Sequence, residues 1–294
     1  MEAVSSVIAI SLRQGLAYSF LVLGVYLTFR ILDFPDLTVD GSFPLGGAIV
    51  ATFIFRGGDP FLGTVLAVGG GVIAGLMTGF LHTRLKINKL LSGILAMVSL
   101  YSINLMIMGR ANVSLLRTTT IYRTTFKFFN IQAGAIPVIV FLAIFTVLIF
   151  ALLTWFLSTE LGFAIRATGD NEQMIRGLGV NTNTTKLICL AISNGLVALS
   201  GALVAQDQGF SDIGMGVGMI IIGLASVIIG EVVFPARRIP LILLGIIGGS
   251  IVYRLLISIA LRLGLAPTNL KLITAILVII ALSIPNIRKI FQRA

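Results

Sequence analysis

Two single residues and one polar run bound the chemistry that this sequence can do. Cys189 is the only cysteine and His82 the only histidine among 294 residues. A lone cysteine in an apolar run allows no intrachain disulfide and no thiolate metal set, so it reads as a small core residue. His82, beside Thr83 and Arg84 at the end of an apolar segment, has no second nitrogen or sulfur ligand nearby and reads as interfacial. A Ser/His/Asp constellation with a histidine to spare cannot be assembled, and no metal-ligand set is available. No G-x-x-x-x-G-K-[ST] sequence occurs, and the Gly-rich GLGVNTNTTK lacks its spacing, so the chain cannot cradle and hydrolyse a nucleotide by itself. What remains is GFAIRATGDNEQMIRGLGVNTNTTK, Gly162 to Lys186, a polar stretch able to form a helix in surroundings that are otherwise strongly apolar.

Within that run Asp170 can cap a short helix, with Gln173 three residues on completing a capping box. Gly177 and Gly179 supply exits. The expected helix, Asn171 to Arg176, is about 9 Å long and too short to hold itself in water, so its flanking segments and a partner must hold it. Met174 and Leu178 lie four apart on one face, and Glu172 and Arg176 form an opposite-charge pair on a neighbouring one. Such a knob with apolar anchors suits a groove on a cytosolic partner; a short helix lying on the membrane surface is the other reading.

The elements that present this knob are membrane spans. Hydrophobic residues make up 57% of the chain and charged residues 11%, with a mean hydropathy of +1.08, more apolar surface than a soluble domain can use. Apolar segments at residues 5–29, 39–55, 61–81, 90–108, 136–157, 187–205, 213–230, 241–260 and 270–285 approach the roughly 20 residues that cross a bilayer core. The fold expected is an all-α polytopic membrane helical bundle of about nine transmembrane segments, eight to ten, forming a single domain over residues 1–294 with its polar loop at about 158–186. MEAVSSVIAI has neither a basic cluster nor a cleavage pattern, so the first span is expected to stay. If 162–186 is cytosolic, twelve Lys and Arg fall on that side and seven on the other. The excess favours an outside N-terminus and a cytosolic C-terminus, with Trp155 near the inner end of the fifth span. The net charge of +10 is spread over short loops without a nucleic-acid recognition module, so membrane orientation accounts for it better.

Polar groups inside or beside spans mark places that must face protein, water or an interface. Asp33 to Gly47 is turn-rich and precedes an apolar part of only eleven residues, Leu45 to Phe55. A broken helix at membrane depth is tolerated where a cavity or protein satisfies the freed backbone. Asp40, Gly41 and Ser42 are therefore candidates to line a solute path, with Pro44 setting the interruption; an ordinary loop with a proline near a helix start is the alternative. Asn104 and Asn194 are further candidates, Arg13, Gln14, Ser102 and Ser193 share the condition, and Arg254, some thirteen residues into a span, needs a partner or a cavity. On the outer side Arg110, Arg117, Arg123 and Lys127 form a cationic surface that either meets lipid headgroups or receives acidic residues of an external solute-binding protein. Gln206, Asp207, Gln208 and Asp212 surround Gly209 as an outer gate or docking loop. Gly71, Gly75 and Gly79, and Gly214 and Gly218, have the four-residue spacing of close helix packing in lipid.

The pattern G-x-x-I-R-A-x-G-x-N-x-x-M-x-x-x-x-G-V-N in 162–181 resembles the coupling loop of bacterial ABC-importer permeases of the branched-chain amino acid and ribose family. The likeness extends through SNGLVALSGA, the glycine-rich 214–230 span, and upstream QGLAYSFLVLGVYLTFRILDFPDLTVDGSFPLGG. Within the family the chain looks most like small permeases linked with tryptophan or other amino acid uptake. The resemblance implies a type II importer permease in which Gly162, Arg166, Ala167, Gly169, Asn171, Met174, Gly179 and Asn181 place a helix in a cleft of the ATP-hydrolysing subunit. The residues' own logic adds Asp170, Glu172 and Arg176. It implies two ATPase subunits that bind the ATP and Mg, a second permease copy as a homodimer, an external solute-binding protein, no cofactor on this chain, and a bacterial inner-membrane location. Set against the sugar permeases of the family, no counterpart of their extra N-terminal span is expected here. The competing readings are a secondary transporter or channel working alone, disfavoured by scarce intramembrane acids, and a membrane enzyme.

Overall fold

A computed structural model describes residues 2–116, 118–132, 134–263, 272 and 276. Eleven helices follow in chain order: α1 (Glu2–Tyr26), α2 (Val39–Phe55), α3 (Pro60–Thr83), α4 (Lys89–Met108), α5 (Ile121–Phe128), α6 (Ala135–Leu157), α7 (Glu160–Asp170), α8 (Glu172–Gly177), α9 (Thr182–Gln208), α10 (Met219–Val233) and α11 (Ile239–Arg262). A π-helical turn, Leu27–Ile31, extends α1. Two three-residue strands, β1 (Asn112–Ser114) and β2 (Phe210–Asp212), pair antiparallel with Val113 opposite Ser211.

Among the described residues, seven helices are long and apolar enough to cross a bilayer and α2 is a shorter apolar one. The expected eight to ten spans thus reduce to an all-α polytopic bundle of about seven long helices, and the segment at 270–285 lies outside the described residues. The strands and α5 are absent from the sequence reading, because three extended residues and a helix in a Thr-rich loop leave no hydropathy signal.

Local rules set the helix ends. Asp59 accepts from the backbone N–H of Phe61 at 2.9 Å and of Leu62 at 3.0 Å, with Pro60 in the first turn of α3, where its missing N–H costs nothing. Asn181 caps α9 through the N–H groups of Asn183 and Thr184, and Gly209 closes it at φ 81°, a conformation that favours glycine.

The core centres on α9, which packs against α1, α2 and α3. Of its 18-residue apolar window 83% is buried, against 22% for α6, so α6 lies on the outside of the bundle, with Trp155 exposed at its end. Small residues permit the approach: a Cβ on Gly71 would overlap the Asn194 carbonyl, one on Gly75 the Leu190 carbonyl, and one on Gly79 the Leu187 side chain. The first glycine triplet therefore packs helices within one chain. The second pair does not: Gly214 lies in a 3-10 turn, Ile213–Gly216, and Gly218 has φ 85° with open space around it. Hydroxyls add the interhelical bonds expected of polar groups in lipid, Ser193 Oγ to Gly24 O, Ser200 Oγ to Ala17 O and Ser250 Oγ to Gly15 O, each 2.8 Å. Arg254 finds its partner in Tyr18, its guanidinium 3.5 Å from the ring centroid. Cys189 is buried, as its apolar setting implied.

Candidate functional site

The polar run forms two helices instead of one. Thr159 caps α7 by accepting from the Gly162 N–H at 3.3 Å, and Gly162 lets the new helix turn tightly against the Phe156 carbonyl. Asn171 caps α8 by accepting from the Met174 N–H at 3.0 Å. The expected Asp170/Gln173 capping box is thus corrected: Asp170 is the last residue of α7 and the cap falls one residue later. Both side chains accept similarly, but the extended backbone of Asn171, φ −156° and ψ 94°, is what a cap requires. Val180 N–H donates to the Ile175 carbonyl at 3.2 Å across Gly179, φ 87°, a glycine exit.

The knob stands on a polar footing. Glu172 Oε1 accepts from Lys186 Nζ at 2.7 Å, from Arg176 Nη2 at 2.5 Å and from Thr182 Oγ1 at 3.2 Å, while Arg176 Nε donates to Thr182 Oγ1 at 2.7 Å. Arg176 therefore braces α8 against α9 and is not part of the apolar contact face. Ile175 points inward, whereas Met174 and Leu178 are 56% and 72% exposed. Lys186 Nζ lies 3.4 Å from His82 Nε2, and His82 Nδ1 lies 2.8 Å from the Ile87 carbonyl, so the interfacial histidine joins this footing to the end of α3. On α7, Thr168 and Thr185 hydroxyls meet at 3.0 Å, Gly169 faces the Ile31 carbonyl with no room for a Cβ, and Arg166 lies over the Phe163 ring at 4.3 Å. Ala167 is partly exposed beside it.

Burial alone would raise the Glu172 carboxyl, but the Lys186 bond and charge, Arg176 and Thr182 together hold it below the ordinary 4.5. A depressed carboxyl stabilises the folded state above its unfolded value and loses that contribution as pH falls through its folded value. Amide hydrogen exchange in α8 is therefore expected to be slow and constant from pH 7 to 5, after allowance for intrinsic rates, and to accelerate below the usual glutamate range. Equal protection across both ranges would show that the footing does not hold the helix.

The path candidates separate into two groups. Asp40, Gly41 and Asn104 border one cavity of about 410 Å³ between α2, α4 and residues 213–217. Ser42 and Asn194 do not reach it. They are fully buried behind it, Ser42 Oγ donating to Asn194 Oδ1 at 2.7 Å and Asn194 Nδ2 to Asp36 Oδ2 at 2.7 Å. Asp36, which sequence reasoning missed, is fully buried and also accepts from the Thr38 N–H at 3.0 Å. Its signal was present as an acid within a turn-rich entry to an apolar helix. Pro44 does not interrupt α2, which begins at Val39 and runs through it.

At the other end Arg110, Arg123 and Lys127 are exposed, Arg110 over the Phe55 ring and Arg123 Nη1 donating to the Thr118 carbonyl at 3.3 Å; Arg117 lies outside the described residues. The acidic half of the expected docking loop is engaged elsewhere. Asp207 forms an ion pair with Arg13, whose Nε donates to it at 2.6 Å. Asp212 accepts from the Gly214 N–H at 2.8 Å and from Asn112 Nδ2 at 3.2 Å. Gln206 is buried, accepting from the Ile121 N–H at 2.8 Å and donating to Thr64. These residues tie together the loops at the end of the bundle away from α8.

A lipid-facing bundle with a braced, apolar-tipped knob at one end and a polar-edged cavity in its wall is the build of a membrane transport component. The family model described as "Branched-chain amino acid transport system / permease component" matches residues 7–283, and the chain belongs to that family. It is similar to a tyrosine transport system permease protein of Clostridioides difficile (strain R20291), 45% identical over 276 residues that cover 94% of this chain and 90% of that one. It is also similar to a galactofuranose transporter permease protein of Escherichia coli (strain K12), 28% identical over 86% of this chain and 72% of the other. Among solved structures, PsaBC from Streptococcus pneumoniae in complex with Fab shares the fold, with a TM-score of 0.52 at 14% identity over 92% of this chain and 89% of that one. The protein is a transmembrane permease subunit of an ABC-type importer. It forms part of a translocation path and is not itself an ATPase.

Proposed function

We propose that this permease is driven through α7 and α8 and carries an amino acid. The single observation that supports the drive is the knob: Met174 and Leu178 exposed at its tip while Glu172, Arg176, Thr182 and Lys186 fix its base. Apolar anchors on a rigid mount suit insertion into a cleft of an ATPase subunit. Gly162, Arg166, Ala167, Gly169, Asp170, Asn171, Gly179 and Asn181 shape or flank that mount. Two ATPases carrying ATP and Mg, one under each copy of a permease homodimer, would move the two knobs together, and the bundle, a single domain of the type II importer kind, would alternate its access. The amino acid rests on the name of the tyrosine relative. Lys89, Arg176, Lys186 and Arg30 gather at the knob's end of the bundle and Arg110, Arg123 and Lys127 at the other. That distribution supports a cytosolic knob, an outside N-terminus and a cytosolic C-terminus in a bacterial inner membrane, with α5 facing an external solute-binding protein.

Co-purification with an ABC ATPase subunit of the same organism, and proteoliposome uptake with that ATPase and the solute-binding protein, test this reading. Met174→Glu combined with Leu178→Glu is expected to lower ATPase recovery and ATP-driven uptake at least tenfold, while membrane insertion stays at the parent level. Retention of the ATPase by this variant, or uptake that persists with no ATPase present, would reject α8 as the drive.

A further inference from the structure

The cavity beside α2 and α4 has an uneven chemistry that specifies its occupant. Asn104 is fully buried, and its Nδ2 donates to the Gly41 carbonyl at 3.1 Å. That bond fixes the amide's orientation, because a carbonyl can only accept. Its Oδ1 is left buried with no donor among the described residues, a costly condition unless a visiting group satisfies it. Asp40 borders the same space. Its carboxylate accepts backbone N–H groups at the start of α10, Oδ2 from Gly218 at 3.0 Å and Oδ1 from Ile220 at 2.8 Å, with the Met219 N–H also against it, and its roughly four acceptor sites are not all taken. Among the described residues no Lys, Arg or His borders the cavity, while Pro44, Met97, Val98 and Val217 supply apolar wall. At the more exposed edge Tyr101 and Ser102 carry hydroxyls that can donate.

We infer that this cavity is a subsite for a protonated primary amine attached to an apolar body, in substance an amino acid with an aliphatic or aromatic side chain. The inference rests on the reading of the chain as an amino acid permease and adds the group recognised. The ammonium donates to Asn104 Oδ1 and the Asp40 carboxylate, the apolar body lies on Met97, Val98 and Pro44, and the carboxylate meets the Tyr101 and Ser102 hydroxyls. A sugar would bring hydroxyls against apolar wall, and an acid without an amine would bring negative charge toward Asp40. The volume of about 410 Å³ lies within the range of small-molecule sites.

The test uses the assembled transporter in proteoliposomes, with Cys189→Ser and Val98→Cys placing one thiol on the cavity wall. Maleimide labelling of that thiol is timed against phenethylamine, L-phenylalanine, 3-phenylpropionate and ribose, so that the binding protein's own selectivity does not enter. Phenethylamine and L-phenylalanine are expected to slow labelling, and the other two to leave it unchanged. Asn104→Leu should raise the half-protecting concentration roughly tenfold or more, the usual cost of a lost bond to a charged group, and Asn104→Asp should lower it. Should Asn104→Leu fail to insert, Asn104→Asp alone decides. Protection by 3-phenylpropionate or ribose equal to that by phenethylamine, or protection by none of the four, overturns the subsite. ATP-driven uptake, measured separately on the parent complexes with the ATPases and the solute-binding protein both supplied, keeps the two readings apart: uptake without amine protection rejects only the subsite, and protection without uptake rejects only the drive.

Discussion

Gly201→Val is expected to leave no folded permease: after mild detergent extraction, the monodisperse peak in size-exclusion chromatography should vanish. A Cβ at Gly201 would overlap the Phe43 carbonyl, and one at the facing Gly46 would overlap the Ala198 carbonyl. These neighbours are helix backbone, which cannot swing aside as a flexible side chain can without breaking its own hydrogen bonds. Overpacking a core costs about 1–3 kcal/mol where side chains can adjust, and backbone-on-backbone overlap exceeds that against a total stability of about 5–15 kcal/mol. Separating α2 from α9 would also pull Ser42 off Asn194 and uncover Asp36. Gly177→Ala is the control, since nothing lies within 4 Å of a Cβ there, and it should behave as the parent. A normal peak from Gly201→Val would show that the contact between these two helices is not needed for folding.

Glu172→Ala is expected to uncouple the transporter, with ATP hydrolysis continuing in proteoliposomes while uptake falls at least tenfold. The carboxylate is the shared acceptor for Lys186, Arg176 and Thr182, and the Lys186 side chain is only 5% exposed. Removing one member of a buried pair costs about 3–5 kcal/mol, mostly through the charge left behind. Glu172 is itself 28% exposed, which reduces the loss to about 1–3 kcal/mol and still frees α8 from α9 for much of the time. Glu172→Met with Lys186→Met removes the stranded charge and should recover a measurable part of the uptake. If Glu172→Ala transports at the parent rate, force does not pass through this footing.

The division between what the sequence disclosed and what it concealed follows the range of the interactions. Long apolar runs act within a few residues, so α3, α4, α6 and α9 were legible, as was a short helix in the polar insert, though not that the insert forms two. The one-residue error at the α8 cap arose because Asp170 and Asn171 carry similar acceptors and only the backbone distinguishes them. Long-range partners were hidden. Asp207 reads as an exposed acid until α1 brings Arg13 to it, and Asn194 and Ser42 read as path-lining until Asp36 folds in behind them. Arg176 illustrates a subtler limit: its pairing with Glu172 was foreseen from four-residue spacing, but its role as a brace needs Thr182 and Lys186 from the next helix. That Asp40, Gly41 and Asn104 border one cavity agrees with the rule that a polar group in a membrane span must face something other than lipid.

The interlock of α2 with α9 also constrains the order in which the protein is made. Roughly 130 residues of chain separate the end of α2 from the start of α9, some 6–25 s of synthesis at about 5–20 residues per second. Throughout that interval α2, short and carrying Asp40 and Pro44, has neither its glycine-lined groove filled nor Ser42 bonded to Asn194. The nascent chain must therefore shelter a half-built helix, beside the insertion machinery or against α3, until the ninth helix emerges to complete it. A chain released before Thr182 leaves a fragment that exposes this unfinished seam, and membrane quality control should remove it sooner than a chain released after Gln208, once α9 is free to pack.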